Sequence, residues 1–234
     1  MARLSERMRL ALVLLAITAT PSVADRLEPE PPDRSGGYQT LVRSVLSEAF
    51  EPAVRATVIV EQAGPPEFAV GLKETSGETK IFFVRSTVHI WRYVILEELR
   101  SGQSSLPDAP AEIKRLKAAL PPDPAKVPLV RCEIAIDPLV ANRLSEAWVG
   151  MLARVRVNKH PRYAEDGTSY HFSISGLPMR QGFAVSPPPN TDTALLVSTA
   201  LAMYDYCNTR QPRHLADIRR FSTNLLQRLR SEQP

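Results

Sequence analysis

Apolar residues recur every three to four positions along several stretches of the chain, which is the pattern of a helix with one buried face. Tyr38, Leu41, Val42 and Val45 begin the first of these stretches, and polar residues occupy the positions between them. The helices predicted in this way span 38–50, 88–100, 111–120, 138–155, 191–207 and 213–230. The β-branched residues of 88–100 also fit a longer strand, so that stretch has two interpretations.

Other stretches alternate apolar and polar residues, which is the pattern of a strand with one buried face. The predicted strands span 54–62, 67–74, 79–85, 131–137, 168–175 and 182–186. The first three are expected to form an antiparallel meander and the last two a hairpin, because short turns connect them. In 168–175, Tyr170 and Phe172 should face the core, and His171 and Ser173 should lie on the opposite face.

These elements predict an α+β fold in which an antiparallel sheet packs against several helices. We expect residues 38–234 to form a single domain. Helices and strands follow a similar order in 38–120 and 128–234, so two similar halves are an alternative, although no residue pattern repeats between them.

Residues 1–24 have the features of a secretory signal peptide. Three arginines precede a short apolar run, and the small residues Ser22 and Ala24 suit cleavage between Ala24 and Asp25. The alternative is an uncleaved membrane anchor. About ten apolar residues span only ~15 Å as a helix, whereas the hydrocarbon core is ~30 Å thick. The sequence therefore predicts a periplasmic or secreted protein.

Residues 25–37 contain three prolines and two glycines among charged residues. This composition predicts a flexible, solvated tether between the signal peptide and the domain.

The composition of the 234-residue chain, 44% hydrophobic and 23% charged, is typical of a folded domain and excludes the disordered class. The net charge is +4 at pH 7, and removal of 1–24, which holds three arginines and one glutamate, lowers it to +2. A charge this small does not indicate binding to nucleic acid. The 23 arginines against 6 lysines favour a bacterial source with a GC-rich genome. Glycine-rich phosphate loops and clustered metal-ligand spacings are missing from the sequence, so we predict no cofactor and no metal.

Cys132 and Cys207 are the only cysteines in the sequence. Cys132 lies on the apolar face of a predicted strand and Cys207 on the apolar face of a predicted helix, so both should point into the same interior. An even number of cysteines in an exported protein favours a disulfide between them. The alternative is a pair of buried reduced thiols, which an oxidising compartment disfavours.

Motifs of the well-known catalytic classes, such as G-x-S-x-G and H-E-x-x-H, do not occur in the sequence. His171 is the best candidate for acid–base chemistry, because Asp166 and Ser173 lie close to it along the chain. His160 and His171 also flank Asp166, which would allow an acid–base or metal cluster after folding. A histidine on a solvated strand face is the simpler interpretation of His171.

The preferred hypothesis is a non-catalytic exported protein that recognises another envelope or secreted protein, as an inhibitor, an immunity-type protein or an accessory factor does. Its expected contact residues are Arg180 in the hairpin and Arg219 and Arg220 in the last helix. One alternative is a cofactor-free hydrolase that uses His171 with Asp166 or a nearby serine. Another is an envelope protein that its Arg-rich last helix holds on anionic lipid, although solvated arginines on a packed helix are the simpler interpretation. No pattern in the sequence favours one oligomeric state.

Overall fold

The computed structural model describes residues 26–29, 37–61, 65–103, 108–156, 167–175 and 180–231. Within these residues the chain forms six α-helices and six β-strands, which is the α+β class that the hydrophobic pattern predicts. The signal peptide predicted at 1–24 lies outside the described residues, as do His160 and Asp166.

The strands form one sheet in the order β4-β3-β2-β1-β5-β6, and every neighbouring pair is antiparallel. They are β1 (Val54–Glu61), β2 (Phe68–Thr75), β3 (Glu78–Ser86), β4 (Leu129–Ala135), β5 (Ser169–Ile174) and β6 (Arg180–Val185). The first three strands make the predicted meander, and β5 and β6 make the predicted hairpin. β4 adds to the free side of β3, whereas β5 adds to the free side of β1, so a single sheet collects strands from both halves of the chain.

The helices lie between and after these strands. They are α1 (Tyr38–Val45), α2 (Trp91–Arg100), α3 (Ala109–Ala119), α4 (Pro138–Leu152), α5 (Asp192–Thr209) and α6 (Pro212–Ser231). The stretch 88–100 is therefore helical from residue 91 onward, and its strand interpretation is wrong. The helix predicted over 38–50 is shorter, because α1 gives way at Leu46 to a 3-10 helix over Ser47–Phe50.

Side-chain caps fix where two of the long helices begin. The Asp137 carboxylate accepts a hydrogen bond from the amide of Leu139 at 2.8 Å, and Pro138 occupies the first helical position. The Thr191 hydroxyl accepts from the amide of Ala194 at 3.0 Å, so Thr191 caps α5. Both caps satisfy amides that have no partner within their helix.

The larger core lies on the first face of the sheet, which carries Val58, Val70, Phe83 and Phe172. α4, α5 and α6 cover this face, and their buried residues include Trp148, Leu196 and Leu225. Tyr170 and Phe172 belong to this core, as the alternation in β5 predicts.

A smaller core lies on the second face, which carries Ile59, Ala69, Phe82 and Val84. α1 and the beginning of α2 cover this part of the sheet. Further along the chain, α2 packs its Leu96 and Leu99 against Leu116 of α3. The sheet is therefore packed on both faces, and its second face still carries the polar side chains of β5.

The beginning of the segment predicted to be a tether packs against the domain. Leu27 is fully buried, beside Gly182 and Leu152. Glu28 exchanges two backbone hydrogen bonds with Phe183 of β6, at 2.9 and 2.7 Å. A solvated tether over 25–37 is thus wrong for residues 27 and 28, because a single leucine and one backbone bridge suffice to hold them on the edge of the sheet.

A disulfide joins Cys132 of β4 to Cys207 of α5, as the sequence predicts. Their Cα atoms are 5.9 Å apart, and 75 positions separate them in the sequence. In the chain-entropy description, closing a loop of this length stabilises the folded state by up to about 4–5 kcal/mol.

Gly71 of β2 offers a test of the sheet geometry. An irregularity between Val54 and Ala56 of β1 brings that strand so close that a Cβ at position 71 would overlap the Ala56 carbonyl oxygen and lie 2.7 Å from the Thr57 Cα. Because both are backbone atoms, Gly71→Ala should lower the free energy of unfolding by about 3 kcal/mol or more, measured by urea denaturation.

Gly150→Ala in α4 is the matched control. The new Cβ would meet only the Leu229 side chain, whose Cδ1 would lie 2.9 Å away, and the end of a side chain can shift more easily than the backbone of a strand. Alanine also favours a helix over glycine, so the change in stability should stay within about 1 kcal/mol. Equal losses in the two variants would contradict the close approach of β1 and β2.

Candidate functional site

A buried carboxylate marks the second face beside β2. Glu67 is 1% exposed and accepts hydrogen bonds from the Tyr38 hydroxyl at 2.9 Å and from the backbone amides of Ile90 and Trp91 at 2.8 and 2.9 Å. These amides begin α2, so the carboxylate satisfies donors that the helix leaves unpaired. Glu67 therefore ties α1, β2 and α2 together.

The Tyr38 phenol is held in its neutral form by this environment. Burial raises the pKa of Tyr38 well above its ordinary value, and the neighbouring carboxylates Glu61 and Glu67 raise it further. The ring also meets Trp91 edge-on, with 5.0 Å between the ring centroids. Tyr38 is thus a fixed hydrogen-bond donor across the range of physiological pH.

His171 of β5 lies on the second face, as predicted, but it is buried and not solvated. Its side chain is 7% exposed, its Nε2 lies 3.1 Å from the Glu61 Oε2, and its ring packs against Phe183 at 4.9 Å between centroids. Glu61 reaches His171 because β1 and β5 are neighbours, with Ile59 directly opposite His171. The carboxylate beside His171 is therefore Glu61, while Asp166 lies outside the described residues.

Ser173 lies two residues further along β5 and lines a cavity of about 350 Å³ between this strand and the 3-10 helix Ser47–Phe50. Its polar lining residues are Arg43, Ser47, Thr57, Ser173 and Ser175, and its apolar ones are Ala49, Phe50, Val54, Ala56 and Ile174. His171 is not one of the lining residues. The structure thus separates the two predicted catalytic partners: one is packed beside Glu61, and the other faces an open cavity.

The rim of this cavity carries an exposed aromatic ring and a cation. Phe50 is 37% exposed, and the Arg43 guanidinium lies over its ring at 5.0 Å from the centroid. Two hydroxyl groups of the lining are bonded to the backbone: the Ser175 hydroxyl donates to the Val54 carbonyl, and the Thr57 hydroxyl donates to the Val70 carbonyl at 3.4 Å. The site therefore offers apolar surface, hydroxyl oxygens and one guanidinium, which suits binding more than acid–base chemistry.

A second cavity, of about 290 Å³, lies on the other side of the same end of the sheet. Ser145 and Val149 of α4 line it, and so does the Arg55–Glu74 ion pair, with 2.7 Å between the charged atoms. Its lining is more polar than that of the first cavity.

The arginines predicted to make contacts are at the surface. Arg180 is exposed at the beginning of β6, and Arg219 is exposed on α6. Arg220 pairs with Asp217 of the same helix at 2.7 Å. They lie on different elements, and the structure does not bring Arg180 into the cavity.

The apolar residues of α6 are buried in the core, among them Ile218, Leu225 and Leu229. Two of its C-terminal arginines form ion pairs with the domain: Arg228 lies 3.6 Å from Asp192 and Arg230 lies 2.8 Å from Glu146. A helix that binds a lipid surface needs a free apolar face, so this packing argues against the membrane alternative.

The part of the chain that the structure describes lacks two further features. No group of three or more histidine, cysteine, aspartate or glutamate side chains there could hold a metal ion. No helix there has both the length and the apolar character needed to span a bilayer.

The roles of Tyr38, Glu61 and Glu67 were not predicted from the sequence. The helical pattern places Tyr38 on a buried face, which the structure confirms, but the pattern says nothing about its hydroxyl. Glu61 and Glu67 lie at the facing ends of β1 and β2, where an acidic residue usually signals only the end of a strand. Their burial follows from the strand order and from where α1 and α2 pack.

Comparison with known proteins finds no family model, no curated protein and no solved structure that matches this chain.

Tyr38→Phe tests the buried phenol. At pH 8 the variant should lose about 2 kcal/mol of stability, because one hydrogen bond to a buried carboxylate is removed. The raised pKa means that folded Tyr38 stays protonated while the unfolded phenol ionises above about pH 10. Its contribution is thus complete below pH 10 and is lost as the pH rises further.

The difference in unfolding free energy between the wild-type protein and the Tyr38→Phe variant should therefore become smaller above pH 10, by up to about 1.4 kcal/mol per pH unit. Urea midpoints from pH 8 to pH 11 measure it. A difference that stays constant or widens over this range would show that Tyr38 is not held neutral.

Proposed function

We propose that the protein is an exported, non-catalytic recognition module that binds another envelope or secreted protein through the cavity beside Ser173. The observation that carries this proposal is the cavity itself, which is concave, mostly apolar and open at a rim formed by Phe50 and Arg43. Protein interfaces are commonly anchored by a large side chain that enters such a pocket. An aromatic ring and an arginine at the rim are the residue types most enriched in the centres of interfaces.

The size of the cavity favours a side chain as its occupant. About 350 Å³ is at the lower end of the range for small-molecule sites, which suits one large apolar side chain with its flanking backbone. Hydroxyl groups at Ser47, Ser173 and Ser175 could pair with the backbone of that segment.

The hydrolase alternative is less well supported. A general base has to reach the proton that it removes, either directly or through one water molecule. The Nε2 of His171 faces Glu61, Phe183 packs against its ring, and the side chain is nearly buried. We therefore interpret the His171–Glu61 pair as a structural link between β5 and β1.

Two features support the proposed export. The pattern of residues 1–24 is that of a signal peptide, and a disulfide joins Cys132 and Cys207. Disulfides persist in oxidising compartments such as the periplasm and are rare in the cytosol.

Site-specific photocrosslinking tests the recognition surface. A photoreactive amino acid that replaces Phe50 should form a covalent adduct with one defined protein in the cells that make this chain, because position 50 lies at the rim of the cavity. Adding Ser173→Phe should abolish the adduct, since the new ring would fill the cavity. The adduct is measured by immunoblotting and identified by mass spectrometry.

Ser145→Phe is the matched control, because it fills the second cavity and leaves the first one open. It should leave the adduct unchanged. An adduct that survives Ser173→Phe, or the absence of any adduct in cells where this chain is folded and abundant, would overturn the proposed role of this cavity.

A further inference from the structure

Among the residues that the structure describes, β4 is an edge strand, and no other strand pairs with its outer side. In the strand order β4 has only β3 as a neighbour, and four of its seven residues are exposed and the other three half-exposed, with Val130 at 39%. The other edge of the sheet is different, because Glu28 forms two backbone hydrogen bonds with Phe183 of β6. Among the described residues, β4 thus offers the longer row of backbone groups for pairing with another strand.

The direction of these backbone groups follows from the pairing with β3. The Pro128 carbonyl accepts a hydrogen bond from the amide of Thr87, and the amide of Ile136 donates to the Thr79 carbonyl. The even-numbered residues of β4 therefore direct their backbone groups toward β3. In an antiparallel ladder the bonding direction alternates. The amides and carbonyls of Leu129, Arg131, Glu133 and Ala135 therefore point outward.

The disulfide holds this strand in place. Cys132 lies at the centre of β4 and is bonded to Cys207 of α5, which packs on the inner side of the sheet. An ordered edge strand loses less conformational entropy on pairing than a frayed one.

The sequence of β4 is complementary to itself when two copies run antiparallel. With Cys132 opposite Cys132 of a second copy, Arg131 lies opposite Glu133, and Val130 lies opposite Ile134. This register also places outward-facing residues opposite one another, because 131 and 133 are both odd. Opposite charges in directly facing positions stabilise a pair of strands, and like charges destabilise it.

The ion pairs that Arg131 and Glu133 already form within one copy agree with this register. Glu133 pairs with Lys73 at 3.1 Å, and Arg131 pairs with Glu48 at 2.7 Å, on the second face of the sheet. The Nη1 of Arg131 donates to the Leu129 carbonyl at 3.3 Å, which shows that the guanidinium reaches the open edge. The Glu133 carboxylate of a second copy would therefore lie beside the Arg131 guanidinium, which is already at this edge. Positive and negative side chains would then alternate across the interface.

We infer that two copies of this chain associate through β4, in antiparallel register about Cys132, to make one continuous twelve-stranded sheet. Backbone bonds between Arg131 of one copy and Glu133 of the other hold the centre of the interface, and the contact of Arg131 with its own Leu129 carbonyl is exchanged for a backbone bond from Ala135 of the second copy. The inference does not depend on the cavity beside Ser173, which lies on other elements.

Sedimentation velocity of the purified, oxidised protein over a wide range of concentration tests this inference. We expect a monomer–dimer equilibrium. Glu133→Pro should abolish the dimer, because proline lacks the outward amide, and an edge position whose amide faces solvent tolerates proline. Glu133→Gln keeps the amide and should retain the dimer. A wild-type protein that stays monomeric, or a dimer that Glu133→Pro leaves intact, would overturn the inference.

A charge exchange gives a second test that does not depend on proline. Arg131→Glu and Glu133→Arg should each weaken homodimerisation by about tenfold, since each places like charges opposite one another twice. A mixture of the two variants should form a heterodimer, because both facing pairs then have opposite signs. Failure of the mixture to associate while each variant is folded would contradict the register about Cys132.

Discussion

The disulfide between Cys132 and Cys207 is the constraint on which the arrangement of this protein depends. β4 is an edge strand with many exposed residues, so hydrophobic burial holds it only weakly. The covalent link fastens it to α5, whose Leu196, Ala200 and Met203 are buried in the main core. A stabilisation of a few kcal/mol from loop closure is a large part of the net stability of a domain of this size. It is also what keeps an open strand edge ordered and available for pairing.

The two faces of the sheet differ in the helices that cover them and in the side chains that they bury. The first face is almost wholly apolar and is covered by α4, α5 and α6. The second face is apolar only where α1 and α2 cover it, and two of its buried polar residues are paired: Glu67 with Tyr38 and two helix amides, and His171 with Glu61. Burying such groups costs free energy unless their hydrogen bonds are made, so these pairs fix how the helices and β5 sit. The cavity beside Ser173 lies between β5 and the 3-10 helix Ser47–Phe50, so strands of the sheet form part of the candidate binding surface.

Local patterns were enough to predict the elements and the fold class. Alternation placed Tyr170 and Phe172 inside, helical spacing placed Cys207 on a buried face, and together they predicted the disulfide. The candidate site was less accessible, because it arises from strand order and not from spacing along the chain. Glu61 meets His171 only since β5 pairs with β1 across 110 residues of sequence, and Glu67 determines the beginning of α2 from 23 residues away. The burial of Leu27 is not predictable in this way, because one apolar residue among prolines and charged residues produces neither a helix pattern nor a strand pattern.

Mass spectrometry of the protein isolated from its native source tests whether the disulfide forms and whether the chain is exported. We expect the denatured protein to take up no alkylating reagent before reduction and two equivalents after it, and the chain to begin at Asp25. Two thiols that react without reduction, or a chain that still carries Met1, would contradict both the disulfide-pinned edge strand and the proposed export.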